Sequence, residues 1–238
     1  MKSVLITPHQ GLGDHLLCVA IYREYSRKYR RVFITVRRDY YRELSSLLSD
    51  LHNITLILLP NNHLLRFTRL TQRAARFLKI QVVGLGGYGE NFLESDMRFD
   101  HNFYHQAQLH FEYRWTSFSA PKNDEKEERL FHFLNCADAP YIFLHEDPAR
   151  GFTINQKLLP VGLKIIEPSA NQRIFNLIDY RKVIEGASEV HVIESSFAAY
   201  IESLSTTMPL FAHRYARPET FKDYRYEFTY KKPWRILS

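Results

Sequence analysis

The chain has 238 residues, of which 45% are hydrophobic, 24% charged and 14% aromatic, so it can bury a core and extended disorder is excluded. Its two distant cysteines, Cys18 and Cys136, exclude a disulfide scaffold and a cysteine-based zinc module. No apolar run approaches the roughly 20 residues that cross a bilayer. The opening MKSVLITPHQGLGD lacks the features of a signal peptide. We therefore expect a cytoplasmic protein, at most peripheral at a membrane.

The formal net charge of +6 is unevenly distributed along the chain. Residues 1–119 hold 16 Lys and Arg against 10 Asp and Glu, whereas residues 120–238 hold 16 of each. An anionic partner should therefore meet the N-terminal half first.

Strands and helices alternate along the N-terminal half. Short aliphatic and β-branched runs predict strands, and apolar side chains at helical spacing predict the helices between them. The glycines of GLGGYG, at residues 84–89, predict a loop. The predicted strands are residues 3–7, 31–36, 54–59 and 80–84, and the predicted helices are residues 14–29, 40–48, 64–78 and 103–115.

The polar stretch PKNDEK, at residues 121–126, is the predicted junction between two domains. Beyond it the alternation resumes, and the basic, aromatic tail from residue 214 is expected to pack back across both halves. Strands alternating with helices predict parallel sheets covered on both faces. We therefore predict an α/β protein of two small Rossmann-like units, residues 1–119 and 120–238. In the second unit the predicted strands are 141–145, 163–166, 189–193 and 209–212, and the predicted helices are 127–135, 177–186 and 197–204.

The first predicted strand leads into the sequence HQGLGDHLL. Gly11 and Gly13 allow backbone to approach a ligand closely, and the helix that follows offers free N–H groups and the positive end of its dipole. The pattern is neither GxGxxG nor a P-loop. Asp14 can simply cap this helix. Alternatively, Asp14 or His9 faces the crevice at the strand ends, where open α/β sheets bind ligands.

In the C-terminal half, the sequence VHVIESS places Glu194, Ser195 and Ser196 before a predicted helix that starts at Phe197. Hydroxyls and backbone amides at such a helix start suit a phosphate. A serine that only caps the helix is the plainer interpretation.

Upstream, the run YIFLHEDPARGF ends a predicted strand at His145 and presents Arg150 in the following turn. A guanidinium there can clamp a diphosphate through two parallel hydrogen bonds. An ordinary surface arginine in a Pro–Gly turn is equally compatible with this sequence.

These segments resemble a known superfamily. HQGLGDHLLCVAIYREY is similar to the N-terminal glycine loop of GT-B glycosyltransferases, in particular the GLGD-plus-helix opening of the bacterial heptosyltransferases. VIEGASEVHVIESSFAAYIESLS resembles the later segment of that superfamily, in which a helix holds the donor's phosphates, and its SSF run looks like that of the α1,2- and α1,6-fucosyltransferases. The chain departs from the fucosyltransferase pattern at Glu146 and Asp147, where that pattern has a basic residue.

The resemblance implies a compact GT-B-like enzyme that moves a sugar from a UDP- or GDP-linked donor to a glycan or glycolipid. Transfer would be inverting and without a metal or other cofactor, with the donor on the C-terminal lobe and the acceptor on the basic N-terminal lobe. Asp14 would be the base, with His9 or His15 as the competing candidate, and Arg150 would bind the diphosphate. The other donor-binding residues would be Gly11, Gly13, His145, Glu167, Glu194, Ser195, Ser196 and Phe197.

A metal site is not predicted from the sequence. No Asp-x-Asp occurs, which argues against the metal-dependent GT-A class. His101 and His105 lie one helical turn apart, but no HExxH motif or matching carboxylate accompanies them.

A stripe of arginines runs along the predicted helix 64–78. Helical geometry places it about 100° from an apolar stripe one residue further on. The plain interpretation is a surface helix whose apolar face packs on the sheet; the alternative is contact with an anionic acceptor or a membrane surface. The basic stripe is Arg66, Arg69, Arg73 and Arg76, and the apolar one is Phe67, Leu70, Ala74 and Phe77.

Other functions remain open at this point. A sugar-nucleotide epimerase, another nucleotide-binding enzyme or an inactive ligand-binding module would share the two-unit fold. A nucleic-acid-binding protein would explain the arginines and tyrosines, but no binding motif is present and half of the chain is neutral, so a nucleic acid is not expected.

Overall fold

The computed structural model describes residues 2–86, 96–168, 174–217 and 223–238. The chain divides into two compact units, Met1–Pro121 and Lys122–Ser238. In the described ranges, no helix combines the length and the apolar character needed to span a membrane.

Among the residues that the structure describes, the sheet of the N-terminal unit has four parallel strands, with order β3-β2-β1-β4. Most residues of the two central strands are buried, as expected of parallel strands covered on both faces. The strands are β1 (Ser3–Thr7), β2 (Arg31–Arg37), β3 (Ile54–Leu59) and β4 (Gln81–Gly84). The helices are α1 (Leu12–Leu17), α2 (Val19–Lys28), α3 (Tyr41–Leu47), α4 (Leu64–Phe77), α5 (Phe99–Gln106) and α6 (Tyr113–Thr116).

Two predicted helices of this unit are each divided in two. The helix predicted over 14–29 is interrupted at Cys18, between α1 and α2. The helix predicted over 103–115 is α5 followed by the short α6, because Gln108 adopts a left-handed backbone (φ 53°) that an α-helix cannot contain. The predicted loop at residues 84–89 lies partly outside the described residues.

Helix α4 packs on the sheet with an unexpected face. Its buried positions are Thr68 and Ala75, and the side chain of Gln72 donates a hydrogen bond to Thr7 Oγ1 in β1 (2.7 Å). The interpretation that its apolar stripe covers the sheet is therefore wrong, because small and polar side chains already fill that contact. The exposed stripe residues are Phe67, Leu70, Ala74 and Phe77.

Within the described part of the C-terminal unit, the sheet has five parallel strands, with order β6-β5-β7-β8-β9. The last strand is three residues long and was not predicted. The strands are β5 (Tyr141–His145), β6 (Lys164–Ile166), β7 (Glu189–Val192), β8 (Leu210–His213) and β9 (Arg235–Leu237). The helices are α7 (Asp124–Phe133), α8 (Arg181–Glu185) and α9 (Ser196–Ile201).

The tail is held on the C-terminal unit by the carboxylate of Glu202, which follows α9. This carboxylate accepts hydrogen bonds from the backbone N–H groups of Lys231 (2.9 Å) and Lys232 (3.3 Å) and from Nε1 of Trp234 (2.5 Å). These contacts place β9 beside β8. The tail therefore packs on the C-terminal unit.

Replacing Glu202 should release the tail. We expect Glu202→Ala to lower the free energy of unfolding by at least about 3 kcal/mol, since a hydrogen bond to a charged group is worth about 1.5 to 3 kcal/mol and the variant loses three of them. Urea unfolding followed by circular dichroism measures this. The exposed Glu185 gives the control Glu185→Ala, which should unfold like the wild type. Equal unfolding midpoints for the two variants would contradict this role of Glu202.

Candidate functional site

Each sheet contains one point at which the order of strands reverses. In the N-terminal unit, β2 and β3 are added on one side of β1 and β4 on the other. In the C-terminal unit, β6 lies on one side of β5 and β7 on the other. Open α/β sheets bind ligands at the carboxyl ends of the strands that flank such a point. The candidate ligand-binding positions are therefore the carboxyl ends of β1 and β4 and those of β5 and β7.

At the end of β1, His9 and Asp14 form a hydrogen-bonded pair. Nδ1 of His9 lies 2.5 Å from Oδ2 of Asp14, and the same oxygen accepts a hydrogen bond from the backbone N–H of Gly11 (3.2 Å). Asp14 thus caps the start of α1 and also contacts the neighbouring imidazole. The His9 side chain is 56% exposed and that of Asp14 19%, so the imidazole is the more accessible of the two.

Two glycines allow this arrangement. A Cβ atom on Gly11 would lie 2.6 Å from Asp14 Oδ2, so any other residue would displace the carboxylate. Gly86, just after β4, has φ 71°, and a Cβ there would lie 2.5 Å from the ring of Phe103 and 3.0 Å from Cβ of His9. The loop after β4 therefore packs directly against the His9 side chain. Gly13 is the second residue of α1.

His9, in the loop after β1, and His15, in α1, have opposite environments. The hydrogen bond that the imidazole donates to Asp14, together with the negative charge of that carboxylate, raises the pKa of His9 in spite of partial burial. His15 has no exposed surface, its Nδ1 lies 2.9 Å from the hydroxyl of Tyr22, and burial lowers its pKa to about 4. The prediction of His15 as a competing base is therefore wrong, because its ring lies in the core.

At the carboxyl ends of β5 and β7, His145 and Ser195 meet. The Ser195 hydroxyl lies 3.0 Å from Nδ1 of His145 and makes no capping hydrogen bond to α9. The plain capping role for Ser195 is thus not what the structure shows. The Phe197 ring packs against the imidazole at 4.5 Å between centroids, and burial lowers the pKa of His145 to about 4. Ser196 is the first residue of α9.

Arg150 lies in the turn after β5 and is exposed. Its Nε donates to Asp147 Oδ2 (2.6 Å), and its guanidinium lies 5.1 Å from the ring centre of Phe152. A second guanidinium, that of Arg217, lies 5.5 Å from the same ring. Arg217 was not predicted from the sequence; the available signal was a basic residue shortly after a strand. Two cations therefore lie close to one ring, which follows the carboxyl end of β5.

Glu194 does not face this site. Its side chain is fully buried, where Oε1 accepts hydrogen bonds from Arg214 Nη2 (3.0 Å), the backbone N–H of Phe228 (3.3 Å) and the hydroxyl of Tyr230 (3.4 Å). Burial raises the pKa of this carboxyl despite the arginine. The predicted donor contact through Glu194 is therefore corrected: the side chain binds the tail.

Glu167 follows β6, one strand from the reversal point, and is exposed. Partial burial and the charge of Glu146 raise the pKa of its carboxyl. Glu146 itself accepts a hydrogen bond from the backbone N–H of Ile154 (2.6 Å). A carboxylate is thus available at this edge for a hydroxyl-bearing ligand.

Among the described residues, no three His, Cys, Asp or Glu side chains come together as a metal ion would require. The ring of His101 instead stacks on Phe111 at 3.6 Å between centroids.

Comparison with solved structures gives the fold. The chain is similar to E. coli ADP-heptose LPS heptosyltransferase II, with 13% identity and a TM-score of 0.58 over 100% of this chain and 90% of that one. It is also similar to a glycosyl transferase family 9 structure from Veillonella parvula, with 11% identity and a TM-score of 0.57 over 99% and 86% of the two chains. By sequence, neither a protein-family model nor a curated protein matches it. The chain has the GT-B type of fold that the sequence resemblance predicted.

The buried His15 makes stability depend on pH. Its pKa of about 4 in the folded protein is below the 6.5 of an exposed histidine. The unfolded chain therefore binds a proton as the pH falls below 6.5 while the folded chain does not, so stability present above pH 6.5 is lost towards pH 4. The loss from His15 reaches about 3 kcal/mol, at about 1.4 kcal/mol per pH unit.

Urea unfolding between pH 7.5 and 4 measures this loss. The variant His15→Gln should show a shallower decline in stability with acid than the wild type. The control variant His52→Gln, at an exposed position, should keep the wild-type slope. An unchanged slope in His15→Gln would show that this histidine is not buried as a neutral ring.

Proposed function

We propose that this protein is a glycosyltransferase that moves a sugar from a nucleotide-diphosphate sugar to a hydroxyl group of a glycan or glycolipid. The observation that carries the proposal is that polar side chains meet at the reversal point of each sheet. One sheet has a His–Asp pair there, and the other has a Ser–His pair with a neighbouring arginine. Support for the proposal also includes a fold shared with structures named as glycosyltransferases.

The N-terminal pair supplies the base. An acceptor hydroxyl must lose its proton as its oxygen attacks the sugar. With Nδ1 of His9 directed at Asp14, the other ring nitrogen, Nε2, is the one that takes the proton, and the carboxylate fixes the tautomer and stabilises the cation formed. The raised pKa of His9 makes it a stronger base near neutral pH. Asp14, which the sequence resemblance made the base, then acts as a positioning residue.

The C-terminal site holds the donor. A leaving diphosphate needs positive charge and hydrogen-bond donors. Arg150 can turn from the part-exposed Asp147 to a diphosphate, and Ser195 and Ser196 offer hydroxyls at the start of α9. Because α9 has only six residues, these side chains contribute more than its dipole. Glu167, after the neighbouring strand β6, would accept hydrogen bonds from the ribose.

Two features of the reaction follow from this assignment. Arginine supplies the positive charge for the leaving group, so transfer proceeds without a metal ion. One base and direct attack by the acceptor give inversion at the sugar carbon, as in the families that the sequence resembles. The donor nucleotide is UDP or GDP by that resemblance, and ADP belongs in the test because one similar structure is named an ADP-heptose enzyme.

Donor binding is tested by thermal shift and calorimetry with UDP, GDP, ADP, CMP and their sugars, and with an oligonucleotide. We expect one nucleoside diphosphate to stabilise the protein. Arg150→Ala should lower the affinity for that nucleotide roughly tenfold or more, because it removes a charge-assisted hydrogen bond. The exposed Arg129, on α7, gives the control Arg129→Ala, which should bind normally. Stabilisation by the oligonucleotide alone would contradict the proposal and favour nucleic-acid binding.

Sugar transfer is then measured with the nucleotide sugar whose nucleotide stabilises the protein. We expect His9→Gln to lower kcat at least about a hundredfold, the usual range for a general base, with donor affinity unchanged. Asp14→Asn should also lower kcat and change its pH profile, and the control His110→Gln, at an exposed site, should be normal. Activity that survives in His9→Gln but not in Asp14→Asn would make Asp14 the base. Full activity in both variants would contradict the whole assignment.

A further inference from the structure

Helix α4 exposes both of its stripes to solvent. At about 100° per residue, Arg66 and Arg73 come two positions before the buried Thr68 and Ala75, while Leu70 and Phe77 come two positions after them. These four side chains therefore lie side by side on the outward surface, roughly opposite the sheet. Arg69 and Arg76 come one position after the buried residues and so lie about 100° from them, on the adjoining flank. We call this surface the α4 face: Arg66, Arg69, Arg73, Arg76, Leu70 and Phe77.

The apolar part of the α4 face is unusually exposed. Phe77 is 88% exposed, Leu70 47%, and the adjoining Leu78 65%. Scattered single apolar side chains are ordinary on protein surfaces, but a contiguous strip with a polar rim marks an interaction site. The hydrogen bond of Gln72 to Thr7 fixes the helix in this orientation.

The charges of the α4 face are uncompensated. Residues 51–89 hold five Lys and Arg and no Asp or Glu, and so account for most of the excess charge of the N-terminal half. Within the described residues, none of the four arginines makes an ion pair or a side-chain hydrogen bond. The complementary surface is therefore anionic and also accepts apolar side chains.

We propose that the α4 face docks on an anionic lipid bilayer. A helix of about 21 Å lying in the plane of the membrane inserts Phe77 and Leu70 at the level of the headgroups, while the arginines contact lipid phosphates. A second copy of the chain fits less well, because the same face would bring like charges together. A nucleic acid would pair with the arginines but leave the apolar strip in water.

Vesicle co-sedimentation of the full chain tests this docking without any donor or acceptor, so its outcome is separate from that of the proposed function. We expect the protein to pellet with mixed phosphatidylcholine–phosphatidylglycerol vesicles and much less with phosphatidylcholine alone. The double variant Arg73→Gln/Arg76→Gln should weaken partitioning roughly thirtyfold, at about 1 kcal/mol per basic residue near an anionic surface. Phe77→Ser should weaken it roughly tenfold.

Matched controls use exposed residues that do not belong to α4. Lys28→Gln/Arg30→Gln removes the same charge from the N-terminal unit, and Val161→Ser removes an exposed apolar side chain; both should partition like the wild type. Equal weakening by the two charge-removing double variants would overturn the α4 face as the docking site. The proposal would also be overturned if the wild-type protein stayed in the supernatant with anionic vesicles and instead dimerised through Phe77 or bound an oligonucleotide through the arginines.

Discussion

The handedness of parallel strand connections is the constraint on which this structure depends. Each crossover between parallel strands must be right-handed, so a sheet that grows first to one side and then to the other has its helices on both faces and a gap in the cover between them. Both sheets contain this reversal, between β1 and β4 and between β5 and β7. The polar pairs that carry the proposed chemistry lie at these two positions, and the rest of each unit holds them there.

Close packing around the strand ends gives the pairs their properties. The Asp14 carboxylate fits because position 11 has no Cβ, and its contact with His9 raises the pKa of that imidazole. At the other reversal, burial keeps His145 neutral beside Ser195. Similar side chains thus receive different protonation states from burial and from one neighbouring charge.

Much of the fold could be predicted from the sequence, because apolar runs and helical periodicity report burial directly. The exceptions are instructive: β9 has three residues and little pattern, and the break in the helix predicted over 103–115 depends on the backbone of Gln108. Site residues next to a strand end could be predicted because they directly follow a predicted strand in the sequence. Glu194 was misassigned, and Arg217 missed, because the direction of a side chain depends on tertiary contacts that periodicity does not contain. Helix α4 shows the same limit, since its apolar stripe was expected on the sheet and lies in solvent.

A crystal structure of the protein with the nucleotide that stabilises it would show whether the reversal point of the C-terminal sheet binds a nucleoside diphosphate. We expect the diphosphate beside Ser195 and Ser196, with the Arg150 guanidinium turned from Asp147 towards it. A diphosphate bound elsewhere, with the His145–Ser195 pair and Arg150 unchanged, would contradict this assignment.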